Sequence, residues 1–213
     1  MEDKTFSVQL LKNPLISVQV IPGHFTTGNV HISHYLDVSS LKSNVSIARD
    51  VARELALPYL SSTLVDTIVC MEKTEVIGAY LAQELLQAGA SVMNSGREIR
   101  VLTPLSNING NLVFPNSVVQ WIDNQNVILI VASISSGRTL SSALECLAYY
   151  GGKIVGISAL FMALNDKLEQ KINALFTSQD IPDYKLSNAG QCEMCKAGLK
   201  LDAMISSEGY TKI

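Results

Sequence analysis

The chain has 213 residues, a formal net charge of −3, 47% apolar residues and 16% charged residues. This composition excludes a disordered chain and leaves no basic surface for nucleic acid, so an anionic ligand would have to be held by local groups. No apolar run approaches the roughly 18 residues of a membrane span. Because residues 1–4 (MEDK) are not followed by the apolar stretch of a signal peptide, no signal peptide is expected. With Cys70 and Cys146 in apolar segments, the sequence predicts a reduced, cytoplasmic protein.

The predicted elements fall into two parts. Residues 1–36 are expected to be irregular with short strands, one of which ends at Pro22-Gly23, and residues 39–57 have the spacing of a helix that Pro58 ends. Apolar strands then alternate with helices: strands are predicted near 66–71, 99–102, 127–132 and 154–160, and helices near 75–88 and 139–150. This alternation predicts a parallel sheet covered on both faces.

Residues 128–140 form the most informative segment, because a buried strand leads through small hydroxyl residues into a helix. Unpaired N–H groups at a helix N-terminus, together with the helix dipole, favour a bound anion. A short polar turn without a ligand is the alternative. The groups predicted to bind a phosphate monoester are Ser133, Ser135, Ser136, Gly137, Arg138 and Thr139.

This segment resembles the phosphoribosyl-pyrophosphate (PRPP) loop of type I phosphoribosyltransferases. Residues 136–139 (SGRT) match the Thr-Gly-x-Thr end of that motif, whereas Val131 and Ala132 stand where the family has two acidic residues. Residues 23–37 resemble the N-terminal signature of the orotate branch. Residues 65–78 resemble its first strand and pyrophosphate loop, which would consist here of Glu72, Lys73 and Thr74.

The resemblance implies an α/β fold of the type I phosphoribosyltransferase kind, with a mostly parallel central sheet flanked by helices and a small hood. The predicted single domain covers 1–213, with a core at about 40–165 and a hood from about 1–38 and 177–213. The resemblance also implies a small-molecule phosphate ligand and a homodimer, and the composition predicts no nucleic acid or membrane partner. Mg²⁺ is the one cofactor that the family uses, and the replacement of the acidic pair argues against its binding here.

The departures from the motif bear on activity. In the family the acidic pair binds the ribose hydroxyls and helps to hold Mg²⁺-PRPP; losing two such bonds costs on the order of 3–6 kcal/mol. The connection at 103–117, where the family has its flexible catalytic loop, contains no cationic residue. The sequence therefore predicts an orotate phosphoribosyltransferase-like protein that binds PRPP or a nucleoside 5′-monophosphate and has weak or no catalysis. A non-catalytic sensor of nucleotides or sugar phosphates is the alternative.

One further motif is Cys192-x-x-Cys195, which has the spacing of half a zinc knuckle. Zinc requires four ligands, and the three histidines, His24, His31 and His34, lie far away along the chain. A plain reduced turn is therefore preferred and no metal is predicted, although two knuckles across a dimer could complete a site. His31 and His34 are expected to be surface or partner-facing residues of the hood.

Overall fold

The structure is a computed structural model that describes residues 4–28, 30–87, 93–163, 171–206 and 209–213. Its first elements are β1 (Phe6–Leu10), β2 (Asn13–Thr26), β3 (Val30–Asp37), α1 (Ser39–Ser43), α2 (Val45–Ala56), β4 (Thr67–Cys70), α3 (Glu75–Gln87), β5 (Arg100–Leu102), β6 (Leu105–Ser106), β7 (Leu112–Val113) and α4 (Asn116–Val119). They are followed by β8 (Asn126–Ile134), α5 (Arg138–Tyr149), β9 (Lys153–Met162), β10 (Ile172–Thr177), β11 (Leu186–Asn188), α6 (Glu193–Lys196), β12 (Ala203–Ser206) and β13 (Gly209–Lys212). Within the described ranges, no helix has the length and apolar character needed to cross a membrane.

The core is a five-stranded, wholly parallel sheet with the order β10-β9-β8-β4-β5. Successive residues of a strand point to opposite faces. Ile128 and Ile130 of β8 accordingly pack in the cluster that includes α2 and α3, whereas Leu129 and Val131 pack with α5. The α/β fold and the four predicted core strands are confirmed; the fifth strand, β10, was not predicted.

The hood is a six-stranded sheet with the order β11-β3-β2-β12-β13, and β1 pairs with β2. The prediction of an irregular region with short strands is wrong, because β2 has 14 residues and passes through Pro22. The pairing of β2 with β3 shifts by one residue between Pro22 and Phe25. A β-bulge at this point accommodates the proline, which cannot donate to the ladder.

The predicted helix at 39–57 is two helices, α1 and α2. Asn44 separates them in an extended conformation, and its side chain accepts hydrogen bonds from the N–H groups of Ser46 and Ile47. Asn44 therefore serves as the N-cap of α2, a role for which asparagine is among the preferred residues. The break leaves α1 as a separate short helix beside the core sheet.

The polar connection at 103–117 contains a short hairpin of β6 and β7. Asn107 closes its tip by accepting hydrogen bonds from the N–H groups of Asn109 and Asn111. Leu105 and Ile108 of this hairpin are exposed. Its second strand, β7, packs against α5, where Leu112 contacts the apolar cluster.

Candidate functional site

A cavity of about 250 Å³ lies between the carboxyl end of β8 and the hood. Its walls come from the loop between β8 and α5, from β3, from α1 and from the loop after β4. In parallel α/β sheets, ligands bind outside the carboxyl ends of the strands. All six residues predicted to bind phosphate line this cavity: Ser133, Ser135, Ser136, Gly137, Arg138 and Thr139.

The loop that leads into α5 presents its backbone donors to the cavity. Gly137 is the N-cap, with a φ of 75° that favours glycine, and no side chain caps the helix. Within the described residues, the N–H groups of Ser135, Ser136, Gly137 and Thr139 have no hydrogen-bond partner. The N–H of Arg138 makes only a long contact of 3.5 Å with Ser136 Oγ. An anion could accept hydrogen bonds from these unpaired N–H groups, as anions do at helix N-termini.

Ser133 differs from residues 135–139 because its backbone N–H already donates a hydrogen bond within the protein. Glu72 Oε2 accepts hydrogen bonds from the N–H groups of Ala132 at 2.9 Å and Ser133 at 3.2 Å. Glu72 and Lys73 both have a left-handed backbone conformation, with φ of 55° and 64°. Lys42 supports this turn by donating from Nζ to the Glu72 carbonyl at 2.9 Å. Strained non-glycine residues of this kind cluster at binding sites.

The three residues predicted to form a pyrophosphate loop have different positions. Glu72 lines the cavity, but Lys73 and Thr74 are not among its lining residues. Thr74 is buried, and its hydroxyl donates to the Met71 carbonyl at 2.8 Å. Its role in the structure is to close the turn after β4.

Two buried hydroxyl groups in the cavity wall lack partners. Among the described residues, the only buried side-chain oxygen or nitrogen atoms without a hydrogen bond are Thr27 Oγ1 and Tyr184 Oη. Both residues line the cavity. Burial raises the pKa of Tyr184 well above its usual range, so its hydroxyl is a neutral donor. Buried polar groups are paired in the great majority of proteins, and an unpaired group requires an explanation; a ligand in the cavity would supply one.

Aromatic rings form another part of the wall. His34 and Tyr184 are stacked, with ring centroids 6.0 Å apart and planes at 24°, and Phe161 meets Tyr184 edge to face at 5.4 Å. Burial lowers the pKa of His34, against a smaller opposing effect of Asp183, so the imidazole is neutral at neutral pH. The prediction of a surface position for His34 and His31 is wrong, because both side chains are buried in the hood.

Two cationic side chains, Lys42 and Arg138, are among the described lining residues. Lys42 was not predicted, because its place on α1 gives no sequence signal of a ligand. Arg138 extends towards the hood: a Cβ on Gly28 would lie 3.7 Å from its Nη1 atom. The two cations therefore approach the cavity from α1 and from the start of α5.

The side chains of Val131 and Ala132 lie on opposite faces of the core sheet. Val131 is fully buried in the apolar cluster beneath α5, whereas Ala132 is buried in the cluster on the other face of the sheet and lines the cavity. Glu72 is the only carboxylate among the described lining residues, and its Oε2 already accepts two N–H bonds. These residues do not fit a Mg²⁺ site, for which one or two free carboxylates are usual.

Cys192 and Cys195 are not among the lining residues of the cavity. They lie in the hood, where their sulfur atoms are 3.3–3.6 Å from ring nitrogens of His24 and His31. Sequence separation had argued against this association, because the histidines precede the cysteines by more than 160 residues. The pairing of β11 with β3 brings the two segments together.

Comparison with known proteins identifies similar folds but no similar sequences. No family profile matches the chain, and no curated protein does. Among solved structures, UMP synthase of Leishmania donovani is similar with a TM-score of 0.54 and 22% identity over 75% of this chain. The chain spans only about a third of that enzyme's length, as the matched part is 34% of it.

Two further structures are matched over most of their length. Orotate phosphoribosyltransferase of Mycobacterium tuberculosis H37Rv is similar with a TM-score of 0.51 and 13% identity, over 76% of this chain and 90% of that one. A phosphoribosyltransferase of Corynebacterium diphtheriae gives a TM-score of 0.53 and 12% identity, over 76% and 89%. These likenesses cover about three quarters of the chain, and the chain has the type I phosphoribosyltransferase fold.

Proposed function

We propose that this protein binds a 5′-phosphorylated ribose compound, either a nucleoside 5′-monophosphate or PRPP, with the phosphate at residues 135–139. The observation that carries the proposal is the group of unpaired N–H donors at the start of α5, in the same cavity as the unpaired hydroxyls of Thr27 and Tyr184. Anions bind at helix N-termini through such donors. Lys42 and Arg138 add the positive charge that the acidic chain as a whole does not supply.

The lining of the cavity supports a nucleotide rather than free phosphate. The residues that carry the N–H donors line the same cavity as the rings of His34, Tyr35, Phe161 and Tyr184. Small-molecule sites combine apolar and aromatic walls with a few placed polar groups. A phosphate would bind the donors, and the ribose and base would contact the hydroxyls and the rings.

We further propose that orotate transfer from PRPP is weak or absent. Ala132 faces the cavity without a carboxylate, and Val131 is buried on the other face of β8. The hairpin in 103–117 has no cation to stabilise a departing pyrophosphate. Groups that act mainly in the transition state set the rate. These absences favour a nucleotide- or sugar-phosphate-sensing role over turnover.

Calorimetry and thermal shift test ligand binding, with a panel of inorganic phosphate, ribose 5-phosphate, nucleoside 5′-monophosphates and PRPP. We expect the nucleotides or PRPP to bind more tightly than inorganic phosphate. Gly137→Ala should weaken binding about tenfold, because the added Cβ opposes the left-handed conformation that aims the N–H groups, at a cost of roughly 1–2 kcal/mol. Gly96→Ala is the matched control, since Gly96 has the same φ of 75° and nothing within 4 Å of its added Cβ. If no compound on the panel binds, or if both variants weaken binding equally, the proposed site is wrong.

Turnover is measured as PRPP-dependent consumption of orotate by the purified protein. We expect a rate far below the usual enzyme range of about 1–10³ s⁻¹. A kcat within that range would show that other groups have taken over the functions of the acidic pair.

A homodimer is part of the proposal because the sequence resemblance to orotate-type phosphoribosyltransferases implies one. The exposed Leu105 and Ile108 of the hairpin are side chains that a second subunit would cover. Light scattering at micromolar concentration should give twice the chain mass, and a monomeric mass would contradict the assembly.

A further inference from the structure

Four side chains with metal-ligating atoms converge in the hood, and none of them is among the residues that line the cavity. They are His24 on β2, His31 on β3, and Cys192 and Cys195 at α6; one ligand atom of each lies within 4.8 Å of the others. His24, His31 and Cys192 are buried, and Cys195 is at the surface. We propose that these four residues, the hood cluster, bind one zinc ion with a structural role.

The separations in the hood cluster match a tetrahedral ion. With Zn–N of about 2.05 Å and Zn–S of about 2.3 Å, tetrahedral geometry requires N···N of roughly 3.3 Å and N···S of roughly 3.6 Å. The structure has 3.0 Å between His24 Nε2 and His31 Nδ1. The sulfur–nitrogen distances are 3.4 Å and 3.6 Å to His24 Nε2, and 3.3 Å from Cys195 Sγ to His31 Nδ1.

The surroundings of His24 select the tautomer that a metal needs. Its Nδ1 lies 3.1 Å from the Leu199 carbonyl and 3.2 Å from the Lys200 carbonyl. Two carbonyl acceptors place the proton on Nδ1 and leave a lone pair on Nε2, the atom that faces the cluster. Metal-ligating histidines nearly always donate their other N–H in this way.

The local backbone also fits a ligand turn. His24 lies in the β-bulge between Pro22 and Phe25, and its N–H donates to Asp202 at 2.7 Å instead of to β3. After Cys195 the chain turns through Gly198, whose φ is 76°. Bulges re-aim side chains towards sites, and here the bulge allows His24 and His31 to contact the same pair of sulfurs.

The segment that carries the cysteines needs a link of this kind. In the stretch 188–202, all of which the structure describes, Cys192 is the one buried residue. A segment without an apolar core is stabilised in small domains by a metal or a disulfide. Four protein ligands, two thiolates and two imidazoles, form a closed tetrahedral zinc site with no open position for catalysis.

Zinc content and cobalt spectroscopy test the proposal on the full chain. The purified protein should contain one zinc per chain by elemental analysis. After removal of the metal, Co²⁺ should give the intense visible bands of a tetrahedral ion and a thiolate-to-cobalt charge-transfer band. Weak octahedral bands without charge transfer would overturn the proposal, as would a quantitative Cys192–Cys195 disulfide in the protein isolated under reducing conditions.

Matched cysteine variants identify the ligands. Cys195→Ser, at an exposed position, should weaken zinc binding at least 100-fold in a competition titration with a chromophoric chelator. Cys146→Ser, a cysteine of α5 outside the hood cluster, should bind zinc as the wild type does. Equal zinc affinity in Cys195→Ser and the wild type would show that these residues are not the ligands. If a variant folds poorly, the cobalt spectrum of the wild-type protein still shows whether the metal site is tetrahedral and has thiolate ligands.

Discussion

The loop at 135–139 and the hood cluster present opposite kinds of atoms. The loop presents N–H donors that have no partner among the described residues. The hood cluster presents nitrogen and sulfur lone pairs, and three of its four residues are buried. The first arrangement suits an anion that exchanges with solvent, and the second suits a cation that stays bound. Function and stability are thus expected to depend on different ligands.

Metal removal is expected to have the largest effect, because it should destabilise the hood without destabilising the core sheet. A structural zinc contributes on the order of 10 kcal/mol to the folding of small zinc domains, so chelation should loosen β11 and β12, which border the cysteine segment. Hydrogen exchange with and without chelator is the measurement, and we expect loss of protection in these strands but not in β8 of the core. Cys195→Ser provides the control, because its exchange should not respond to chelator. Uniform loss across both sheets would mean that the hood and the core unfold together.

Adding carboxylates to β8 tests how far the cavity differs from an active transferase site. Val131→Asp should destabilise the fold by about 3–5 kcal/mol, because it leaves an unpaired charge in the apolar cluster under α5. Ala132 is also buried, but a carboxylate at this position can reach the cavity, so Ala132→Asp should cost about 1–3 kcal/mol, less than Val131→Asp. Urea denaturation of both variants measures the difference. Equal costs would show that the two positions do not face opposite sides of the sheet.

The two regions also differ in how far the sequence predicts them. The strand, loop and helix at 128–140 are contiguous, so periodicity and the glycine at 137 predicted both the elements and the side of the sheet on which a ligand would lie. The hood cluster depends on a bulge at Pro22 and on pairing between β3 and β11, and neither has a local signal. Glu72 is likewise joined to Ala132 across 60 residues. Local motifs were therefore predicted, whereas contacts that depend on strand register were not.

The unpaired hydroxyls of the cavity predict an unusual response to mutation. Tyr184→Phe removes a buried hydroxyl that has no partner, so stability should be unchanged or slightly higher while nucleotide affinity falls about 2- to 10-fold. Tyr59→Phe is the control variant, because it removes a buried hydroxyl that is hydrogen-bonded, to the Ile157 carbonyl and to Ser158 in the core. It should lose about 1 kcal/mol of stability with unchanged affinity. Thermal melts and calorimetry on both variants measure these changes; a stability loss in Tyr184→Phe would show that its hydroxyl is already bonded in the free protein.

Glu72 is the one carboxylate among the described residues that line the cavity, and removal of its charge should have the smallest effect. Its carboxylate accepts hydrogen bonds from the N–H groups of Ala132 and Ser133 and places a negative charge in the cavity proposed for the phosphate. Two charges a few ångströms apart in water interact by about 1 kcal/mol. Glu72→Gln should therefore tighten phosphate and nucleotide binding about 2- to 5-fold at low salt, and the gain should shrink as salt screens the charges.

The matched control for this change is Glu75→Gln. It removes the same charge three residues away, from a side chain that accepts a hydrogen bond from Thr103 and is not among the cavity lining. Affinity in Glu75→Gln should stay within about twofold of the wild type, because screening weakens the field of a solvated carboxylate outside the cavity. The opposite result for Glu72→Gln would be equally informative: weaker nucleotide binding, with inorganic phosphate unaffected, would mean that the carboxylate accepts the ribose hydroxyls. In that case Glu72 would supply from the β4 side the acceptor that Val131 and Ala132 lack.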